Sequence, residues 1–226
     1  MTKVAVLIQT RGDRSELLAN CLRQLDAQTH LPDHIEVVDD QPQSHHADIT
    51  WRYRTGYERL RGKEFDVIFF FEDDDWYSTD YIEVMLEAWE KQGRPNLFGT
   101  RYTIYYHIML QKYFTMLHDD RASAMNTMIK PDMNLKWCND ADPFTDMWLW
   151  GRPELDRKLF KPQKHIAVGI KHGLTLTGGK SHVDRYNRYI NDDNGFLKAT
   201  LDEESFNFFF GVGERMRRGE LKQFGK

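Results

Sequence analysis

Four consecutive acids, Glu72-Asp73-Asp74-Asp75, follow directly on the apolar run Val67-Ile-Phe-Phe-Phe71 and precede Trp76. Like charges crowded at the end of a buried strand repel one another, so a run of this kind needs a compensating charge. A hard divalent cation supplies it. Mg²⁺ or Mn²⁺ takes carboxylate oxygens and keeps positions open for phosphate oxygens, which suits a site that holds a diphosphate. The other reading is a solvated acidic turn at the N-terminus of the following helix, where acids are favourable.

A second cluster lies far downstream, in Lys171-His172-Gly173 and Gly178-Gly179-Lys180-Ser181-His182. Glycines let the backbone approach a phosphate, Lys171 adds positive charge for a leaving diphosphate, and His172 or His182 can complete a metal shell. Gly178-Gly179 also fits a hairpin turn. Trp51, Trp76, Tyr102, Tyr105 and Tyr106 suit stacking on a base or a sugar ring, although core packing explains most aromatics at such spacings. Trp76 is the functional candidate among them because it adjoins the acids.

The elements that must position these groups are legible in part. Residues 4–8 read as a strand buried on both faces, and Thr10-Arg11-Gly12-Asp13 breaks it. Asp13 with Glu16 has the spacing of a capping box, followed by Leu17, Leu18, Cys21, Leu22 and Leu25 at helical spacing. Residues 35–38 form a second strand ending in Asp39-Asp40, which makes a right-handed βαβ unit with both loops at one sheet edge, where ligands of such sheets bind. The strand over 67–71 brings the acids to the same edge. Ser78 or Thr79 is placed to cap a helix carrying Tyr81, Val84, Met85 and Trp89, closed by Gly93 and Pro95. Strands are expected over 101–109, 112–117 and 123–129, and a last helix from Asp202 to Gly219.

The chain has 226 residues, 40% of them hydrophobic and 29% charged, enough for one α/β domain with a buried core. A formal charge of −4 gives no global attraction to phosphate backbones. Cys21 and Cys138 stand in contexts that suit reduced thiols, which favours the cytoplasm. No stretch approaches the roughly 18 apolar residues of a membrane span.

Three segments in this order resemble the large inverting glycosyltransferase family 2: Val-Ala-Val-Leu-Ile-Gln-Thr-Arg-Gly-Asp-Arg (4–14), Ile-Glu-Val-Val-Asp-Asp (35–40) and Phe-Phe-Glu-Asp-Asp-Asp-Trp-Tyr-Ser-Thr-Asp-Tyr (70–81). The resemblance covers residues 1–95, the nucleotide-sugar-binding half of a single GT-A-like domain, and leaves 96–226 as the acceptor-binding and catalytic half. It implies an α/β fold with a mostly parallel central sheet flanked by helices, a nucleoside-diphosphate sugar donor of the UDP type, and Mn²⁺ or Mg²⁺. Thr10, Arg11, Asp39 and Asp40 then look like residues that hold base and ribose. Arg54, Gly56 and Arg59 fall where family members place a helix near the nucleotide, although the Asn usual before that glycine is absent. The family's Asp-x-Asp signature aligns either on Glu72 with Asp74 or on Asp73 with Asp75. Asp74 and Asp75 are the metal contacts favoured here, with Glu72 and Asp73 left to the donor.

Thr145-Asp-Met-Trp-Leu-Trp-Gly-Arg152 is similar to the family's catalytic segment, which makes Asp146 the candidate general base, with Asp142 and Asp140 as competitors. The competing functions are a sugar-phosphate nucleotidyltransferase, whose Gly-rich basic loop Thr10-Arg11-Gly12-Asp13-Arg14 matches poorly, and a binding module without chemistry. The acceptor is a hydroxyl of a glycan, a small molecule or, as in phage enzymes, a hydroxymethylated pyrimidine in DNA. For DNA the candidate contacts are Arg152, Arg157, Lys158, Lys161, Lys164, Arg185 and Arg188.

Overall fold

The computed structural model describes residues 2–40, 48–172, 189–193 and 195–221. Along the chain run β1 (Val4–Gln9), α1 (Ser15–Asp26), β2 (His34–Val38), α2 (Ile49–Leu60), β3 (Val67–Glu72), β4 (Trp76–Tyr77), α3 (Tyr81–Lys91), β5 (Leu97–Thr100) and β6 (Tyr102–His107). They continue with β7 (Lys112–Leu117), a 3-10 turn (Ala124–Asn126), β8 (Thr127–Ile129), α4 (Thr145–Trp150), β9 (Arg157–Phe160), β10 (Ala167–Lys171), β11 (Ile190–Asn191), α5 (Gly195–Thr200) and α6 (Glu203–Arg217).

The central sheet has the order β2-β1-β3-β8-β5-β9. β1 pairs in parallel with β2 and β3, and β5 with β9, while β8 runs antiparallel between β3 and β5. The pleat sends alternate side chains to opposite faces. Val67, Phe69 and Phe71 pack with Cys21 and Leu25 of α1 and Tyr81, Met85 and Trp89 of α3. Ile68 and Phe70 pack on the other face with Tyr53, Tyr57 and Leu60 of α2 and with Trp150 of α4. Burying side chains of this size stabilises by about 1.5–3 kcal/mol each, so the unbroken apolar strands fix a three-layer core. Strands from beyond residue 95 complete this sheet.

A second sheet, β11-β7-β6-β10-β4, was not foreseen as a unit. Val168 of β10 lies opposite Ile104 of β6, and β10 meets β4 antiparallel. Ile104, Tyr106, Val168 and Ile170 bury a face against Leu197 of α5 and Phe209 and Val212 of α6. This sheet carries Lys171 and His172 back to the acids.

Several local expectations are corrected. Arg14, not Asp13, is the N-cap of α1, without a side-chain cap bond, because Asp13 is paired with Arg11 at 2.6 Å. Asp80 occupies the N-cap of α3, and Ser78 Oγ donates to its carboxylate at 2.8 Å instead of capping. The strand expected over 123–129 begins as the 3-10 turn. Asp202 does cap α6, accepting from Ser205 N at 2.8 Å. Cys21 and Cys138 are buried free thiols, and no helix among the described residues is long and apolar enough to cross a membrane.

Candidate active site

β1, β2 and β3 end at one edge, and the turn after β3 sends its four acids in different directions. Asp75 N closes the turn on Glu72 O at 3.3 Å. Asp73 points back under the first loop. Its Oδ2 accepts from Thr10 Oγ1 and its Oδ1 from Arg14 Nη2, both at 2.6 Å. Asp74 Oδ2 accepts from Arg14 Nη1 at 3.1 Å and faces His172 Nε2 at 3.0 Å. Asp75 Oδ1 accepts from Ile170 N of β10 at 2.7 Å, whereas its Oδ2 is buried without a hydrogen-bond donor. One carboxylate oxygen each from Glu72, Asp74 and Asp75 fall within 4.8 Å of one another.

Lys171 reaches the same place from the end of β10, with Nζ 5.0 Å from the centroid of the Tyr105 ring. That ring lies so close over the backbone of Gly169 that a Cβ there would meet it at 2.6 Å. Burial disfavours the Lys171 ammonium, but Asp75, Glu72 and Asp74 outweigh it and hold its pKa above the ordinary value. Burial also pushes the Asp75 carboxyl well up, with Lys171 opposing and Glu72 and Asp74 adding to the rise, and it pushes Glu72 up in the same way. For Asp74 the burial penalty is overcome by Arg14, His172 and Lys171, and its carboxyl stays well below the usual range.

Arg14, Lys171 and His172 face the four acids, yet burial still raises the carboxyl pKa values of Glu72, Asp73 and Asp75, so the acids are not fully compensated. Three hard oxygen donors within 4.8 Å of one another, one of them on a carboxylate with an orphaned buried oxygen, fit Mn²⁺ or Mg²⁺.

Asp146 stands on the first turn of α4, and Arg121 Nη1 donates to its Oδ2. Asp146 lies near enough for its charge to act on Glu72, Tyr53 and Tyr105. Burial raises the pKa of its carboxyl against the pull of Arg121. Asp146 does not cap α4, whose N-cap is Phe144 without a side-chain bond. Asp142 is spent locally, its two oxygens accepting from Phe144 N and Trp148 Nε1, each at 2.9 Å. Asp140 pairs with Arg54 at 2.6 Å.

The remaining expectations separate. Arg11 and the exposed Asp39 stay at the open edge, where the left-handed Gly12 is so near the backbone that a Cβ would sit 2.7 Å from Asp39 O. Asp40 pairs with Arg59 at 3.0 Å. Gly56 lets α2 lie directly on β1, since a Cβ there would meet Leu7 Cδ1 at 2.0 Å. The Thr10 hydroxyl and the Asp73 carboxylate are committed to each other and to Arg14, so neither side chain is open to the nucleotide. Trp76 is also corrected: it is 3% exposed, packs in the second core and donates from Nε1 to Asp202 Oδ2 at 3.0 Å, which leaves no face for stacking. His182, Arg185 and Arg188 lie outside the described residues. Of the basic residues, Arg152 pairs with Glu154 and Lys164 with Asp80. Arg14 was missed as a site residue, although it sits in the quoted first-loop segment.

No protein-family model matches the chain, and no curated protein is similar to it in sequence. Solved structures do match. S. aureus TarS 1–349 in complex with UDP-GlcNAc superposes with a TM-score of 0.54 at 9% identity, over 97% of this chain and 73% of that one. The fold is GT-A-like. A197 from STIV matches at a TM-score of 0.46 and 15% identity, over 71% of this chain and 82% of that one. At these identities the likeness is one of fold, and in a GT-A-like fold the acids after β3 stand at the strand edge where ligands of open α/β sheets bind.

Proposed function

We propose that this chain is a metal-dependent inverting glycosyltransferase that moves a sugar from a nucleoside-diphosphate sugar, of the UDP type, to a hydroxyl acceptor. The observation that carries the reading is the convergence of Glu72, Asp74 and Asp75 within 4.8 Å of one another, with Asp146 on α4 near enough to act on Glu72. The sequence expectation of Asp74 and Asp75 as metal ligands is extended to Glu72.

Glu72, Asp74 and Asp75 would hold Mn²⁺ or Mg²⁺. When bound, the cation supplies positive charge to the diphosphate of the donor. Lys171, whose charge is secured by the surrounding acids, adds to that stabilisation of the leaving group. Arg11 and Asp39, beside the end of β2, are the residues assigned to the nucleotide in this reading. Asp146 takes the acceptor proton while the hydroxyl oxygen bonds to the anomeric carbon and the bond to the diphosphate breaks on the opposite face. A carboxyl whose pKa is raised by burial is a better base than an exposed one. Arg121 holds that carboxylate by one oxygen.

The test is a mass-spectrometric screen of nucleoside-diphosphate sugars against oligosaccharides, small hydroxylated molecules and hydroxymethylated DNA, with the anomeric configuration of the product read by NMR. Transfer with inversion, lost in EDTA, is the expected result. Retention of configuration would remove the role given to Asp146.

A further inference from the structure

Arg14 has no place in the transfer step described above, yet it is buried in the site and joins two of its acids. It is 5% exposed, and its guanidinium bridges Asp73 Oδ1 at 2.6 Å and Asp74 Oδ2 at 3.1 Å. It also stands at the N-cap of α1, so its backbone joins the first loop to the helix that packs under β3. The two acids it joins are 59 and 60 positions away in sequence.

We infer that Arg14 is a positioning residue that divides the four acids into one structural carboxylate and three ligand carboxylates. Asp73 loses both oxygens to Arg14 and Thr10. Asp74 has Oδ2 engaged by Arg14 and His172, and among the described residues its Oδ1 accepts no hydrogen bond. The result is one available oxygen from each of Glu72, Asp74 and Asp75. Without the bridge, Asp73 would be a buried, unpaired charge beside the metal group, and Asp74 would be free to rotate. Lysine cannot replace it, because an ammonium is a point charge that cannot span two carboxylates as a planar fork does.

The inference rests on the metal reading of the site, and the experiment separates the two. Binding of Mn²⁺ alone is measured by the loss of the free-ion EPR signal, well below the melting temperature, for the wild type, Arg14→Lys, and the charge-balanced pair Arg14→Gln with Asp73→Asn. Affinity is expected to fall about 10–100-fold in Arg14→Lys, the usual effect of removing a group that orients a metal ligand. The double variant keeps the net charge but not the bridge to Asp74, and it is expected to bind as weakly as Arg14→Lys. Wild-type affinity in either variant, with the circular dichroism of a folded protein, overturns the role of Arg14, because a merely structural residue would lower the melting temperature and leave metal affinity unchanged. Absence of Mn²⁺ binding by the wild type instead overturns the metal reading and this inference with it.

Discussion

His172 Nε2 lies 3.0 Å from Asp74 Oδ2, although 98 positions of sequence separate them. The contact joins the end of the second sheet to the turn after β3, as Ile170 N does at Asp75. His172 is 2% exposed and, through Asp74, acts on the three-acid group from just outside it. Groups of this kind orient a ligand and raise metal affinity. His172→Ala is therefore expected to weaken Mn²⁺ binding about 10–100-fold without altering the oxygen-only character of the site. Calorimetric titration of Mn²⁺ gives the affinity. A complete loss of binding would instead make His172 a direct ligand.

The incomplete compensation of the acids predicts a conflict between stability and activity. Asp75→Asn keeps an oxygen for Ile170 N, replaces a carboxyl whose ionisation burial opposes with a neutral group, and gives the orphaned position a donor toward Glu72. At neutral pH in EDTA the variant should be about 1–3 kcal/mol more stable than the wild type, the scale on which a buried unsatisfied polar atom costs. Transfer should be lost. Denaturant unfolding in EDTA gives the first quantity, and a less stable variant would remove the claim that the acids are uncompensated.

The pH dependence follows from the same groups. Glu72 and Asp75 have carboxyl pKa values raised above the ordinary range, chiefly by burial. An acid raised in the folded state adds stability that is fully present below its unfolded pKa of about 4 and is lost as pH rises through the folded value. The metal-free melting temperature of the wild type should therefore fall, relative to Asp75→Asn, as pH rises from about 4 toward neutrality. Mn²⁺ should cancel the fall, since the cation then compensates the ionised carboxylates, and its affinity should increase with pH. Parallel melting curves for the two proteins across that range would count against the raised carboxyls.

The first half of the fold was legible because β1 and β3 are unbroken apolar runs and α1 and α3 have clear helical spacing. The four acids were found for the same reason, since they end such a run. Their separate roles were not, because Glu72 to Asp75 are equivalent in sequence and only the turn aims Asp73 at Arg14 while grouping the other three. The second sheet was also hidden. Its strands over 102–117 were readable, but nothing local says that Ile104 will lie beside Val168. Capping signals misled where a carboxylate or hydroxyl had a nearer partner, as Asp13 has in Arg11 and Ser78 in Asp80. Trp76 adjoined the acids in sequence while its strand turned it into the second core.

Asp146 carries the last prediction. Its carboxylate is largely buried on α4 beside Arg121, while Met147 and Trp148 on the next positions are half-exposed. Of the acids near this segment, Asp142 is held by two local donors and Asp140 by Arg54, and Asp146 is the one whose charge acts on Glu72. Asp146→Asn preserves the shape and can still meet Arg121 through its amide oxygen, but it removes the basicity. Turnover should fall about 10²–10⁴-fold, the usual share of a general base, with donor affinity within a factor of about two of wild type. Arg121→Gln should cost less, because it loosens the carboxylate without removing it. Single-turnover rates at saturating donor, beside the affinity for UDP and Mn²⁺ by calorimetry, separate the two effects. Equal losses in donor binding and rate would place Asp146 in the donor site, and an active Asn variant would remove it as the general base.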